Sequence, residues 1–588
     1  MLLAVLVAAG ALLGRSVPAA GAGRPALLAA AIVCALAAAW SRPLLLGVAA
    51  LCLAAVLGAR CWAGVEPPDR TSRWAGAATL VTDPEPGGGA VRSQLRLAGG
   101  RHVDALAFGA AASCLRQRLA GERIEAVGTL APPPRPSRGR LAARHVSARL
   151  SVATCRPAGA GPVWTRAANG LRRTLVRGAT ALPEDHRGLW AGLVVGDDRD
   201  QPADVEADFS AAGLTHLLAV SGQNVAFALA AAGPLLHRLG LRGRLVAAVA
   251  VLGLFGTAVR WEPSVLRATA MAALALLAGA LGVEASALRL VCLAVAGLVL
   301  VDPMLVHRLE FRLSVAAVVG LALWSRPLAA RLPGPPVLRD TLAATLATQA
   351  ATAPVLLTLG GLAPASIPAN ALAVPAAGPI MVWGLTGGLA AGVVGGWPAQ
   401  LLHLPSRVLL AWLVAVADVA SDLPLAPVGA WPVAAAALLA WLAVRADAGP
   451  RLALAAASAA ALLLPTAVAA ASGPGDLNDD RPAFGLRLWR TSGVTVAALD
   501  GGDPARVLGG LRSRGVGRVD LLVATRTGPR VLAPLAAVLD RHDVVTLAGP
   551  GRLDVAGLRP LPPGAPVRAG PFTVMLDPAG AVAVDRRR

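Results

Sequence analysis

Polar side chains that could do chemistry gather in one apolar stretch, GLTHLLAVSGQNV at 213–225, which runs on into AFALAAAGPLL. On a single helix of about 100° per residue, His216 and Gln223 fall almost in line, flanked by Thr215 and Asn224, with Ser221 in the same turn. Such a stripe at membrane depth faces a bundle interior, a partner or a water-filled path, so a conduit or an intramembrane site is the functional reading. Hydrogen-bonded glue between helices is the competing one, and these residues alone leave both open. Gly222 lies within the stripe, where a glycine permits a helix break or the close approach of another backbone. A membrane serine protease would need Gly-x-Ser-Gly and a histidine on a separate helix. The chain offers Ala219-Val220-Ser221-Gly222 with His216 on the same expected helix, so that reading is remote. A small-solute transporter is the other alternative; paired broken helices in inverted repeats would favour it, and no convincing internal repeat is visible.

The elements that must position these groups belong to a membrane protein. Over 588 residues the composition is 56% hydrophobic, the mean hydropathy is +0.63, and aromatics supply 3%. That excludes an ordinary soluble enzyme and fits lipid-facing helices of Ala, Leu and Val. The net charge is +20 and lysine is absent, so every basic side chain except histidine is arginine. A guanidinium is a good phosphate fork, which points to anionic lipid, nucleic acid or both. Without lysine no GxxxxGK[ST] nucleotide loop exists, so any energy for transport must come from partners or an ion gradient.

Along the chain, the opening run reads as a membrane helix, and helices are expected near 1–20, 26–40 and 43–63. Residues 65–160 change character to short alternating runs broken by Asp-Pro, Gly-Gly-Gly and Pro-Pro-Pro, the pattern of a small β domain; five strands of this rhythm suit an oligonucleotide-binding (OB-like) barrel or another small barrel. Arg92, Arg96, Arg101, Arg116, Arg118 and Arg123 make it basic, and Trp74 and Phe108 are its only candidates for stacking bases. Cys114 and Cys155 are its only cysteines; from the sequence they are either a bridge in an oxidising compartment or two separate thiols. Residues 161–200, with Arg172, Arg173 and Arg177, read as an amphipathic interfacial linker. Apolar runs then recur through 201–472, for roughly ten to thirteen spans in all, and their arginines lie on loops of both parities, so orientation is undetermined. From 473 to 588 strands and helices alternate as in an α/β domain.

This order of segments resembles the ComEC competence proteins, inner-membrane channels for DNA. The strongest match is the His-Leu-Leu-Ala-Val-Ser-Gly core of GLTHLLAVSGQNV. Four further stretches match in order: PSVLRATAMAALALLAG (263–279), LVDPMLVHRLEFRLSVAA (300–317), TQAATAPVLLTLGG (348–361) and PANALAVPAAGPIM (368–381). The resemblance implies N-terminal transmembrane helices over 1–64, an OB-like insert, a polytopic channel domain and a metallo-β-lactamase-like C-terminal domain. It implies transport of single-stranded DNA across the cytoplasmic membrane during natural transformation, alongside an external DNA receptor, a separate nuclease and a cytoplasmic helicase, with oligomeric state open. By the same analogy the channel residues would be His216, Ser221, Gly222, Gln223, Asn224, Arg267, Asp302, Ser314, Pro354 and Asn370, with Phe311 in the third motif. DNA-binding candidates are Arg92, Arg96, Arg101, Arg116 and Arg118. The family also implies that Cys114 and Cys155 are bridged and that the insert is extracytoplasmic. Glu310 and Arg312 depart from the family pattern, which has glycine and glutamine there.

Chemistry of the residues qualifies several of these roles. Arg267 near a helix start would either meet a phosphate or snorkel to the interface. Asp302-Pro303 most simply ends a helix, and Asn370 would satisfy a freed carbonyl. The C-terminal domain keeps the Asp500-Gly501-Gly502 turn and the strand RVDLLVAT (518–525), but RTGPRVLAPL follows with neither histidine nor acid, and His542 is its one histidine. A two-metal hydrolase needs a compact set of His and Asp ligands. The expectation is therefore a degenerate, non-enzymatic domain without cofactor, in which Arg512, Arg514, Arg526 and Arg530 either guide DNA or form a solvated surface.

Overall fold

The computed structural model describes residues 1–16, 43–87, 89–218, 220–359, 361–423, 428–445, 448–471, 475–491, 493–550, 555–562, 564–577 and 580–586. The helix expected over 26–40 lies outside them. Among the described residues, seven helices are long and apolar enough to cross a membrane: Leu46–Gly64, Leu241–Ala258, Pro263–Ala280, Leu309–Ala329, Pro336–Leu359, Ser366–Val394 and Leu404–Asp422. Shorter apolar helices include Leu2–Ser16, Gly222–Leu236 and Ala287–Val301. The larger sequence estimate treats every apolar run as a span. Ser221 and Ser286 cap two of the shorter helices, which have 15 residues each, about 22 Å of helix and short of a hydrocarbon core.

The bundle is built around the helix Glu184–Val195, whose residues from Gly188 to Val195 are all buried. Trp190 is fully enclosed, and its neighbours come from helices Val163–Ala179, Ala203–Ala211, Ser366–Trp383 and Leu404–Asp422. Packing here is close enough to dictate residue type: a Cβ on Gly388, at the end of a π-helical turn Gly384–Gly388, would sit 2.5 Å from the Trp190 ring.

Within 161–200, expected as an amphipathic interfacial linker, Arg173 and Arg177 are exposed but Arg172 turns inward. Arg172 is 2% exposed. Its guanidinium donates to Val195 O, to Gly196 O at 2.9 Å and to Ala258 O at 3.1 Å, where two helices end. A cation placed on the unsatisfied carbonyls of helix C-termini is favoured by their dipoles, so the arginine goes inward rather than to the lipid surface.

Strands β1 (Ser72–Leu80), β2 (Glu85–Gly87), β3 (Ala90–Leu97), β4 (His102–Ala107), β5 (Arg123–Ala131) and β6 (Val146–Gly159) form one sheet in the order β1-β5-β6-β4-β3-β2, and β3 also pairs with β1. All pairs are antiparallel except β4 with β6. Alternation in the sequence becomes alternation of burial, clearest in β5, where Ile124, Ala126, Gly128 and Leu130 point inward. The Cys114–Cys155 disulfide ties the helix Gly109–Arg116 to β6.

The C-terminal unit carries β7 (Leu477–Ala483), β8 (Leu486–Thr491), β9 (Val494–Leu499), β10 (Arg518–Ala524), β11 (Asp543–Gly549) and β12 (Leu558–Pro560), ordered β12-β11-β10-β9-β8-β7. Strands β9 to β12 are parallel, as the intervening helices Pro504–Ser513 and Pro529–Arg541 require. Those helices cover one face. The three-stranded sheet β13 (Pro566–Ala569), β14 (Phe572–Leu576) and β15 (Val582–Arg586) covers the other.

Ion pairs fasten both units to the bundle. Asp83 of the insert accepts from Arg260 at 2.8 and 2.9 Å and pairs with Arg172 at 3.1 Å. Burial alone would raise the Asp83 carboxyl, but Arg172 and Arg260 outweigh it and hold it below the usual carboxylate range. The insert's Arg144 and His145 meet Glu310 at 2.7 Å and Asp302 at 3.0 Å. In the C-terminal unit, Arg512 and Arg541 converge on Asp208, at 2.6 and 3.2 Å, and Arg541 also reaches Asp418. The Arg530 guanidinium lies 5.5 Å from the Phe108 ring centre, so insert and C-terminal unit touch on one side of the bundle.

Candidate functional site

The stretch 213–225 is a broken helix, not the continuous stripe that the periodicity predicts. Helix Ala203–Ala211 ends at Gly213, whose φ of +71° is left-handed and whose missing Cβ leaves room for Ser366, 2.5 Å from where it would stand. A single turn, Thr215–Leu218, follows. The chain then becomes extended at Ser221, which caps the helix Gly222–Leu236 by accepting from Gln223 N at 3.2 Å. A serine N-cap competes with continued helix, and glycine next to it adds no resistance.

Polar groups hold the break in two clusters. Around Ser221, its hydroxyl donates to Asn224 Oδ1 at 3.0 Å, Asn224 Nδ2 donates to Leu193 O at 3.1 Å, and Ser264 Oγ donates to Val220 O at 2.8 Å. Ser221 Oγ is thus engaged by Asn224 and Gln223 rather than by a histidine, which leaves the protease reading without geometric support. Around Ser366, Gln349 Nε2 donates to its hydroxyl and Asn370 Nδ2 to its carbonyl, at 2.9 and 2.7 Å. His216 is reached by solvent and lies against the Gly213 backbone and the Asn370 amide.

Arg267 joins the first cluster from the neighbouring helix Pro263–Ala280. It is 6% exposed, donates from Nε to Ser314 Oγ at 2.9 Å and from Nη1 to Met271 Sδ at 3.2 Å, and makes no ion pair among the described residues. The remaining Nη2 abuts the broken helix: a Cβ on Gly222 would stand 2.4 Å from it. The guanidinium is therefore enclosed, which corrects the alternative of snorkelling to the interface.

The other expected channel residues separate. Thr215, His216 and Gln223 are exposed at the break, Asn224 and Asn370 are buried braces, and Ser314 positions Arg267. Asp302 belongs to the junction with the insert: it binds His145 and accepts from Met304 N at 3.0 Å. Glu310, one of the two departures from the family pattern, is the partner of Arg144 in that same junction. Pro354 is exposed in the helix Pro336–Leu356 and contributes only its missing N–H. Ser366, Gln349 and Ser264 are site residues the sequence reading missed; Gln349 and Ser264 lie inside motifs already singled out.

The insert's arginines also divide. Arg92 is taken up by Asp104, at 2.6 and 3.1 Å, and Arg118 pairs with Glu122 at 3.6 Å. Arg96, Arg101 and Arg116 are exposed and make no ion pair among the described residues. In the C-terminal unit, Arg512 and Arg514 are held by Asp208 and Asp480. Arg526 and Arg530 stay exposed.

Residues 193–447 match the family model described as Competence protein. No curated protein and no solved structure matches. The match spans the broken helix, Arg267, Ser314 and Asn370, and with the apolar helices it fits a multi-pass membrane protein with a role in competence and DNA uptake. Over that region this chain carries a ComEC-like competence-protein domain.

Proposed function

We propose that this protein carries single-stranded DNA across the cytoplasmic membrane, with the broken helix at 213–225 forming part of the path. The observation that carries this reading is Arg267, a buried guanidinium with no carboxylate partner among the described residues, set against the backbone of the break. An uncompensated cation inside a membrane bundle is costly unless it serves a passing or bound anion. Each nucleotide brings one phosphate charge, and the exposed Thr215, His216 and Gln223 offer neutral hydrogen bonds beside it.

The insert has the strand order and the one parallel pairing of an oligonucleotide-binding barrel, and its disulfide suits an oxidising compartment. We therefore read it, and the C-terminal unit that touches it, as facing the outside. We read the C-terminal unit as a degenerate metallo-β-lactamase-like domain without catalysis. A separate nuclease would then supply single strands, an external receptor would deliver duplex, and a cytoplasmic helicase would draw the strand inward.

Uptake of labelled DNA into a nuclease-resistant pool tests the proposal. Arg267→Gln should reduce it at least tenfold, with surface-bound DNA unchanged and Arg267→Lys intermediate. Normal uptake by Arg267→Gln would refute the path.

A further inference from the structure

Seven phenylalanines and no tyrosine are spread over 588 residues. Five are buried or half-buried. Two are exposed: Phe108 at 46%, where the insert meets the C-terminal unit, and Phe484 at 87%, in the C-terminal unit itself. Phe108 precedes the insert helix Gly109–Arg116 and has the Arg530 guanidinium over its ring, 5.5 Å from the centre. Phe484 lies in the turn between β7 and β8. Its carbonyl is 2.4 Å from the position a Cβ on Gly502 would take, and a Cβ on the adjacent Gly501 would contact Arg530 at 3.5 Å. Phe108, Arg530 and Phe484 are thus gathered around the Gly501-Gly502 turn at the C-terminal edge of β9 and β10, the edge at which parallel sheets present ligand sites.

Charge distinguishes this edge from the docking contacts. Arg526 follows β10 and Arg530 opens the next helix. Both are exposed, and neither makes an ion pair or a hydrogen bond among the described residues, whereas Arg512 and Arg514 of the same unit are paired with aspartates. Asp500 ends β9 on this edge, so a bound phosphate would be held on the arginine side of it.

We propose that this junction is a second single-stranded nucleic-acid site, where bases stack on Phe108 and Phe484 and phosphates meet Arg526 and Arg530. Exposed rings are costly in water, and beside unpaired guanidiniums they suit a ligand with both flat apolar faces and anionic linkages. The site needs residues of both extramembrane units, so it exists only while they are docked. The identity of the ligand rests on the DNA-uptake reading.

Fluorescence anisotropy of the full chain in detergent tests it, using a 20-nucleotide oligothymidine and an abasic oligonucleotide of the same length. Oligothymidine should bind at least about fivefold tighter than the abasic strand. Phe108→Ala and Phe484→Ala should each lower oligothymidine affinity by about fivefold or more without changing abasic binding. Arg526→Gln and Arg530→Gln should weaken both probes and lower the salt slope by about one for each lost phosphate contact. Phe108→Leu keeps an apolar side chain where the alanine variant fails to fold, and should show the same loss. Equal binding of the two probes by the unmodified chain would overturn the proposal. So would phenylalanine variants that bind oligothymidine normally, including a Phe484→Ala that loses only affinity for phospholipid vesicles. The two readings fail separately: normal uptake by Arg267→Gln would refute the path without touching the junction site, and phenylalanine variants that bind oligothymidine normally would refute the junction site without touching the path.

Discussion

At the scale of single residues, the contact between Gly222 and Arg267 decides how the broken helix is packed. Glycine lets the guanidinium approach the backbone to within the space a methyl group would fill. In Gly222→Ala the new Cβ would stand 2.4 Å from Arg267 Nη2 and 3.0 Å from Ala268 Cβ, so the arginine must turn away from the break. Overpacking of this kind costs about 1–3 kcal/mol. The variant should still insert and fold, with thermal stability lowered by that amount, while uptake falls toward that of Arg267→Gln. Uptake equal to the unmodified chain would show that the close approach has no part in transport.

At the scale of elements, the insert is held by the loop between β1 and β2 through Asp83, clasped by Arg172 from the helix Val163–Ala179 and by Arg260 from the turn after the helix Leu241–Ala258. Its folded pKa is below the unfolded value of about 3.9. The stabilisation is therefore fully present above about pH 4 and is lost as pH falls through the lower, folded value. Hydrogen exchange of residues 80–84 should stay slow from pH 8 to 5, after correction for intrinsic rates, and accelerate only below about pH 4. Asp83→Asn leaves Arg172 and Arg260 without this carboxylate, a loss of about 3–5 kcal/mol by the usual cost of breaking a buried pair. Its 80–84 segment should exchange quickly at neutral pH; slow exchange would mean that Asn169, whose Oδ1 accepts from Arg260 at 2.9 Å, and the helix-end carbonyls suffice.

At the scale of the whole molecule, two arginines on Asp208 couple the C-terminal unit to the bundle. Asp208→Asn should loosen that docking, raise protease cleavage at the exposed Gly475 and Asp476 several-fold, and weaken any property that needs insert and C-terminal unit together; an unchanged cleavage rate would show that the apolar contact at Ala207 carries the interface. Much of this architecture was legible beforehand. Apolar runs of Ala, Leu and Val placed the membrane helices, alternation placed β5, and β9 with its Asp-Gly-Gly turn placed the parallel sheet, because these patterns are set by local periodicity and by burial of one face. A local signal also marked Gly222, since a glycine acts on its own backbone. What they could not show was that the stripe breaks, that Arg172 goes inward to two helix ends while Arg267 is enclosed against Gly222, or that Asp302 and Glu310 meet His145 and Arg144 of the insert. An arginine's partner depends on which distant carboxylate or carbonyl the fold brings within a few ångströms, and no spacing along the chain encodes that. The sequence by itself determined a membrane bundle with two extramembrane units and a polar motif at its centre. Only the tertiary structure decided which charges are spent on holding those parts together and which, among the described residues, are left without an ion pair.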